Sequence, residues 1–225
     1  LRNDPLTQGP KLFSKHCASC HRYDGHDGTG IASTNLPEGA DLKNFASREW
    51  IAGFLDPEKI SGPHYFGGTK FKDGKMAKFV KKDVAQFSAK EKEQLKKVIA
   101  ALSAEAWLKS QRDMDKRDDA IIKEGRALLA QAPMSCTDCH QFQNKDEDAT
   151  APDLTGYGSH EWLTGIISDP THPRFYGKKN DRMPAYAEDK ILDAQSIELL
   201  VNWLRGEWYE PKENSRLTPT QASGF

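Results

Sequence analysis

The sequence predicts an all-α chain built as two tandem, similar halves, and three observations carry that expectation. Apolar residues recur at helical spacing wherever a period is visible, while strand-like alternation is nearly absent. A set of landmarks recurs in the same order in both halves of the 225 residues. All four cysteines fall in two pentapeptides, Cys17-Ala18-Ser19-Cys20-His21 and Cys136-Thr137-Asp138-Cys139-His140, one per half.

The elements follow in order. An amphipathic segment with Leu12 and Phe13 on its apolar side runs into Cys17 and presents the first thiols from its C-terminal end. Ser47 is placed to cap a short helix holding Trp50, which Gly53 and Asp56-Pro57 stop. After Met76, Ser88 and Glu91 have the spacing of a capping box, ahead of a helix with Leu95, Val98, Ile99 and Leu102 on one face. In the second half Ile121, Ile122, Leu128 and Leu129 lead into Cys136, Ser159 caps the helix of Trp162, and Asp193 caps a last helix with Ile197, Leu200, Trp203 and Leu204.

These elements divide the chain into residues 1–107, a charged linker or solvated helix continuation at 108–117, a second half at 118–209, and a polar tail at 210–225 expected to lie on the surface or be disordered. The repeat is detailed. Asp41-Leu42, Ser47 to Gly53, Asp56-Pro57, Pro63 to Gly67 and Met76 correspond to Asp153-Leu154, Ser159 to Gly165, Asp169-Pro170, Pro173 to Gly177 and Met183. The offset falls from 119 at the cysteines to 112 at the tryptophans and 107 at the methionines, as if the second copy had lost loop residues in stages.

Cys-x-x-Cys-His is the attachment pattern of c-type haem. Two thiols three positions apart can each bond one vinyl-derived carbon of a porphyrin, and the adjacent imidazole then lies under the iron. With both pairs so used, no thiol remains for a disulfide or a nucleophile. The rival for the cysteines is a four-cysteine zinc site, which would need neither histidine. Apolar content of 37% is thin for two cores, a shortage that two buried porphyrins repair. No run of eighteen or more apolar residues exists to span a bilayer. The chain starts at Leu1 without a basic and apolar leader, so its N-terminus is expected to be processed or cut from something longer.

Each half resembles a class I cytochrome c domain, over about residues 8–107 and 118–209: a helix into Cys-x-x-Cys-His, a loop with a small helix, a methionine, then a C-terminal helix crossing the first. The resemblance implies two tandem domains, each wrapped around one covalently attached c-type haem held by Cys17 and Cys20 or by Cys136 and Cys139. It implies His21 and His140 as proximal iron ligands and a methionine sulfur on the opposite side of each iron, a pairing that raises the potential.

Met183, followed by Pro184 and 43 residues after His140, is similar to the Met-Pro loop of many members. Met76, 55 residues after His21, lacks the proline but is aligned by the repeat; Met114 lies in the charged linker and Met134 just before Cys136. His64 is the alternative ligand to Met76, and His172 poses the same question more weakly. His16, His26 and His160 read as solvated or loop residues. Trp50, Trp162, Tyr65, Phe66, Phe175 and Tyr176 read as pocket wall against a flat apolar ring.

A net charge of −1 makes nucleic acid an improbable partner, and it hides about +4 on residues 1–107 against −5 on 108–225. Lys70, Lys72, Lys75, Lys78, Lys81 and Lys82 crowd around Met76 and would steer an acidic partner to an electron port, unless they are merely a solvated loop.

An iron capped on both sides exchanges single electrons and binds no substrate, so the expectation is an electron relay rather than an enzyme. The resemblance further implies a periplasmic or extracytoplasmic place in a respiratory chain, with a quinol-oxidising cytochrome bc complex on one side and a terminal oxidase or soluble carrier on the other. The alternatives are a dihaem peroxidase with one open haem and the cytochrome subunit of a dehydrogenase.

Overall fold

The computed structural model describes residues 2–32, 35–144, 148–180 and 182–208. The tail expected at 210–225 lies outside the described residues. Among them are eight α-helices: α1 (Pro5–His16), α2 (Arg48–Phe54), α3 (Lys75–Lys82), α4 (Ala89–Ala104), α5 (Arg112–Arg117), α6 (Asp119–Leu128), α7 (His160–Ser168) and α8 (Ala194–Leu204). Extended structure among the described residues is limited to isolated bridges. No described helix is long and apolar enough to cross a membrane.

The helix starts follow local chemistry. The Ser47 hydroxyl accepts from the Trp50 N–H and the Ser159 hydroxyl from the Trp162 N–H, both at 3.1 Å. At α4 the Glu91 carboxylate accepts from the Ser88 N–H (2.7 Å) while the Ser88 hydroxyl accepts from the Glu91 N–H (3.4 Å), completing the capping box. Asp193 accepts from the Ser196 N–H at 2.8 Å and so starts α8. Of the expected apolar face of α6, Ile122, Leu128 and Leu129 are buried, but Ile121 is 42% exposed, because four apolar positions fill more of the helix circumference than one partner helix covers.

The packing corrects the tandem arrangement. The last helix of the first half, α4, crosses α6 of the second half, and α1 at the N-terminus crosses α8 at the C-terminal end. The helices α2 with α4, and α7 with α8, stay together within their own halves. The intervals 1–107 and 118–209 are therefore units of sequence repetition, while the packed bodies exchange their first helices.

Both crossings use the same device. A side chain at Gly9 of α1 would overlap Trp203 of α8, and one at Gly125 of α6 would overlap the Lys97 carbonyl of α4. Four residues after each glycine, Phe13 and Leu129 are wholly buried. Two apolar cores result. One gathers Trp50, Ile60, Val80 and Val98 with Leu128 and Leu129; the other gathers Phe13 with Trp162, Phe175, Leu200 and Trp203.

The chain changes body at two matching segments, 41–47 and 153–159. Asn44 (φ 56°) and Ala46 (φ 61°) correspond to Gly156 (φ 66°) and Gly158 (φ 74°), so the same left-handed turns recur. The corresponding rings Phe45 and Tyr157 meet at 5.3 Å, flanked by Trp50 at 4.7 Å from Phe45 and Trp162 at 4.9 Å from Tyr157. Repeat mates thus touch each other, as residues on a pseudo-two-fold axis do.

The expected linker is neither free nor wholly solvated. Leu108 and Gln111 are buried. The Arg48 guanidinium reaches Asp115 (2.7 Å) and Asp118 (2.5 Å), and the Gln111 side-chain oxygen accepts from the Arg48 N–H. Arg205, also buried, donates to the carbonyls of Ala106 (2.8 Å) and Gly158 (2.7 Å), tying the end of α8 to the crossover.

Candidate functional site

The first motif leaves α1 by a helical turn. Cys17 N–H donates to Phe13 O (2.8 Å) and His21 N–H to Cys17 O (2.8 Å), which sets the histidine directly beyond both thiols. The second motif repeats the turn, with His140 N–H donating to Cys136 O at 3.0 Å.

Each imidazole is oriented from behind. His21 Nδ1 lies 2.8 Å from the Ala40 carbonyl and His140 Nδ1 lies 2.7 Å from the Pro152 carbonyl. A carbonyl only accepts, so Nδ1 carries the proton and Nε2 keeps its lone pair. Burial also holds both imidazoles below the ordinary histidine range, so they are neutral donors at neutral pH. A Cβ at Gly39 would come within 2.5–2.9 Å of the His21 ring, so a glycine there lets the loop close over the imidazole.

The loop behind each histidine is braced. The Asp41 carboxylate, itself buried, accepts from the backbone of Asp24, Gly25 and Lys43, and the Asp41 carbonyl accepts from Trp50 Nε1 at 2.9 Å. In the second half the Asp153 carbonyl accepts from Trp162 Nε1, also at 2.9 Å. Arg22, buried beside His21, donates to the carbonyls of Ala18, His21 and Asn35. The Asp-Leu landmark is visible in the sequence, but its bracing task is not. Arg22, Gly39 and the two carbonyls carry no sequence signal of their role, since a carbonyl acceptor leaves no mark on residue type.

The first thiol of each pair is held in its protonated form. Burial pushes Cys17 up to about 12 and Cys136 up to about 11. Cys17 and Cys136 pack against different apolar cores. Among the described residues no three His, Cys, Asp or Glu side chains converge on a metal-sized site, so the pairs are not brought together as a four-cysteine zinc site.

The methionines fall on opposite sides of the exchange. Met76 packs in the core that holds Leu129, Met134 and Cys136, with Trp50, Tyr65 and Phe66 around it. Met183 packs in the core that holds Phe13, Cys17 and Ala18, with Trp162, Phe175 and Tyr176 around it. His64 stands on the other side of the first site: its ring faces the Asp41 carboxylate at 3.7 Å, and its carbonyl accepts from the Asp41 N–H. His172 is exposed and receives the Arg174 N–H on Nδ1.

Two thiols on one turn, an imidazole with its outer nitrogen fixed, aromatic walls and a thioether in the same core make a donor set that fits a covalently held haem. Residues 6–103 match the family model of cytochrome c. The match supports a c-type cytochrome. It spans α1 through α4 in linear order, although in space those two helices take their partners from the other half of the chain. A match to this family over that stretch is consistent with covalently bound c-type haem and haem-based electron transfer. Neither curated proteins nor solved structures gave a match to the chain.

Proposed function

We propose that this chain carries electrons one at a time through two covalently attached c-type haems, on Cys17 and Cys20 and on Cys136 and Cys139. The observation that carries the proposal is the duplicated brace behind the histidines, His21 to Ala40 and His140 to Pro152, which presents two neutral Nε2 atoms in equivalent settings. A bound haem supplies one-electron chemistry at its iron. The chain supplies His21 and His140 as ligands on one side and Met76 and Met183 as ligands on the other. Its aromatic walls keep water from the ring, and in a dry site a single charge change costs little reorganisation.

Docking charge supports a redox protein partner. Lys70, Lys72, Lys75, Lys78, Lys81 and Lys82 are all exposed, clustered on α3 and the turn before it, and suit an acidic surface. The resemblance and the mode of haem attachment support a relay in an extracytoplasmic respiratory chain, fed by a quinol-oxidising cytochrome bc complex and emptied by a terminal oxidase or soluble carrier.

A redox titration followed by visible and magnetic spectra tests the proposal. Two low-spin haems per chain, each with a sulfur-to-iron charge-transfer band, are expected. A single haem, or a high-spin centre that takes up carbon monoxide rapidly or turns over peroxide, overturns it in favour of an enzyme.

A further inference from the structure

We propose that each haem is shared between the halves: the iron held by His21 is closed by Met183, and the iron held by His140 is closed by Met76. This rests on the haem assignment above and adds to it the pairing, which crosses the chain instead of staying within one repeat.

A shared core and two direct contacts place the Met183 loop on the first motif. Met183 shares a core with Phe13, Cys17 and Ala18. The hydroxyl of Tyr186, three residues on, donates to the His16 carbonyl at 2.5 Å. Arg182, on the other flank, pairs with Glu38 at 2.5 Å, and the Glu38 N–H donates to the Cys20 carbonyl at 2.9 Å. The second motif shows the mirror arrangement: Met76 and Phe79 pack in the core of Leu128, Leu129, Met134 and Cys136. The helix crossings demand the same exchange. The first helix delivers its thiols into the body of whichever last helix it crosses, and α1 crosses α8 while α6 crosses α4.

The proximal loop remains local. Asp41 N–H donates to the His64 carbonyl and Asp153 N–H to the Arg174 carbonyl, each within its own half. Each site thus has its histidine side braced by its own repeat and its methionine side supplied by the other. The lysines around Met76 consequently rim the haem on Cys136 and Cys139, not the one nearest in sequence.

The test removes one haem and asks which methionine the other uses. In Cys17→Ala/Cys20→Ala, the remaining haem should keep its sulfur-to-iron charge-transfer band, lose it on adding Met76→Ala, and keep it on adding Met183→Ala. Loss with Met183→Ala and retention with Met76→Ala overturns the crossed pairing while leaving two His/Met haems intact. Absence of the band in both the wild-type protein and the parent variant overturns the haem ligation itself, and the pairing with it. Should the single-haem variants fail to fold, the reduced wild-type protein decides. The ring-shifted methyl of Met183 should give nuclear Overhauser contacts to the haem bonded at Cys17; contacts to the haem at Cys136 overturn the pairing.

Discussion

The methyl group of Ala46 occupies the space that a side chain at Gly158 would need. The two residues are repeat mates, both in the left-handed region, at φ 61° and 74°. Gly158→Ala adds the cost of a positive φ for an L residue to a steric overlap on the axis between the bodies. Denaturant unfolding of the holoprotein should show a loss of about 2–4 kcal/mol. A neutral result would mean that the two segments do not meet in solution.

Tyr186→Phe removes the hydroxyl that reaches His16 across the exchange and leaves that carbonyl unpaired. A stability loss of about 1 kcal/mol is expected. The same variant should release the methionine ligand of one haem at lower temperature than that of the other, seen as the charge-transfer band falling in two steps on heating.

Acid should loosen the loop after the first motif. The Asp27 carboxyl, although opposed by some loss of hydration, is held well below its usual 3.8 by hydrogen bonds from Thr29, Ser14 and Ile31. A carboxylate with a depressed folded-state pKa stabilises fully above its unfolded value and loses that contribution as pH falls through the folded one. Thermal melts of wild type should therefore drop below about pH 4 more steeply than those of Asp27→Asn. Equal slopes for the two proteins would assign the acid sensitivity to other groups.

Charge reversal at Lys72, Lys75 and Lys78 to Glu should slow electron exchange with an acidic redox partner about tenfold at low ionic strength, with the gap closing as salt is added. Stopped-flow rates across a salt series read this directly. An unchanged rate at low salt would move the docking surface elsewhere.

Much of the site is legible because it is local. Cys17 to His21 and Cys136 to His140 need only one helical turn, and Ser47, Ser159, Ser88 with Glu91, and Asp193 cap helices through bonds that reach three residues along the chain. Carbonyl braces such as Ala40 and Pro152 are not legible, because the backbone carbonyl of any residue could serve. Ile121 is exposed for a related reason: helical period shows which face is apolar, not how wide a face its partner covers.

Residue order alone determined α1, α2, α4, α6, α7 and α8, the two thiol pairs with their histidines, and the doubled set of landmarks, but not the short helix α3 that carries Met76. Which copy of the first helix lies on which copy of the last was decided only in three dimensions. Gly9 with Phe13 and Gly125 with Leu129 repeat one pattern of a glycine and a buried apolar residue four positions on, and that shared pattern does not say in one dimension which first helix meets which last helix. The degeneracy is lifted by the turns at Asn44 and Ala46 and at Gly156 and Gly158, whose positive φ angles send the chain across to the other body, and by Arg205, which fastens the crossover there.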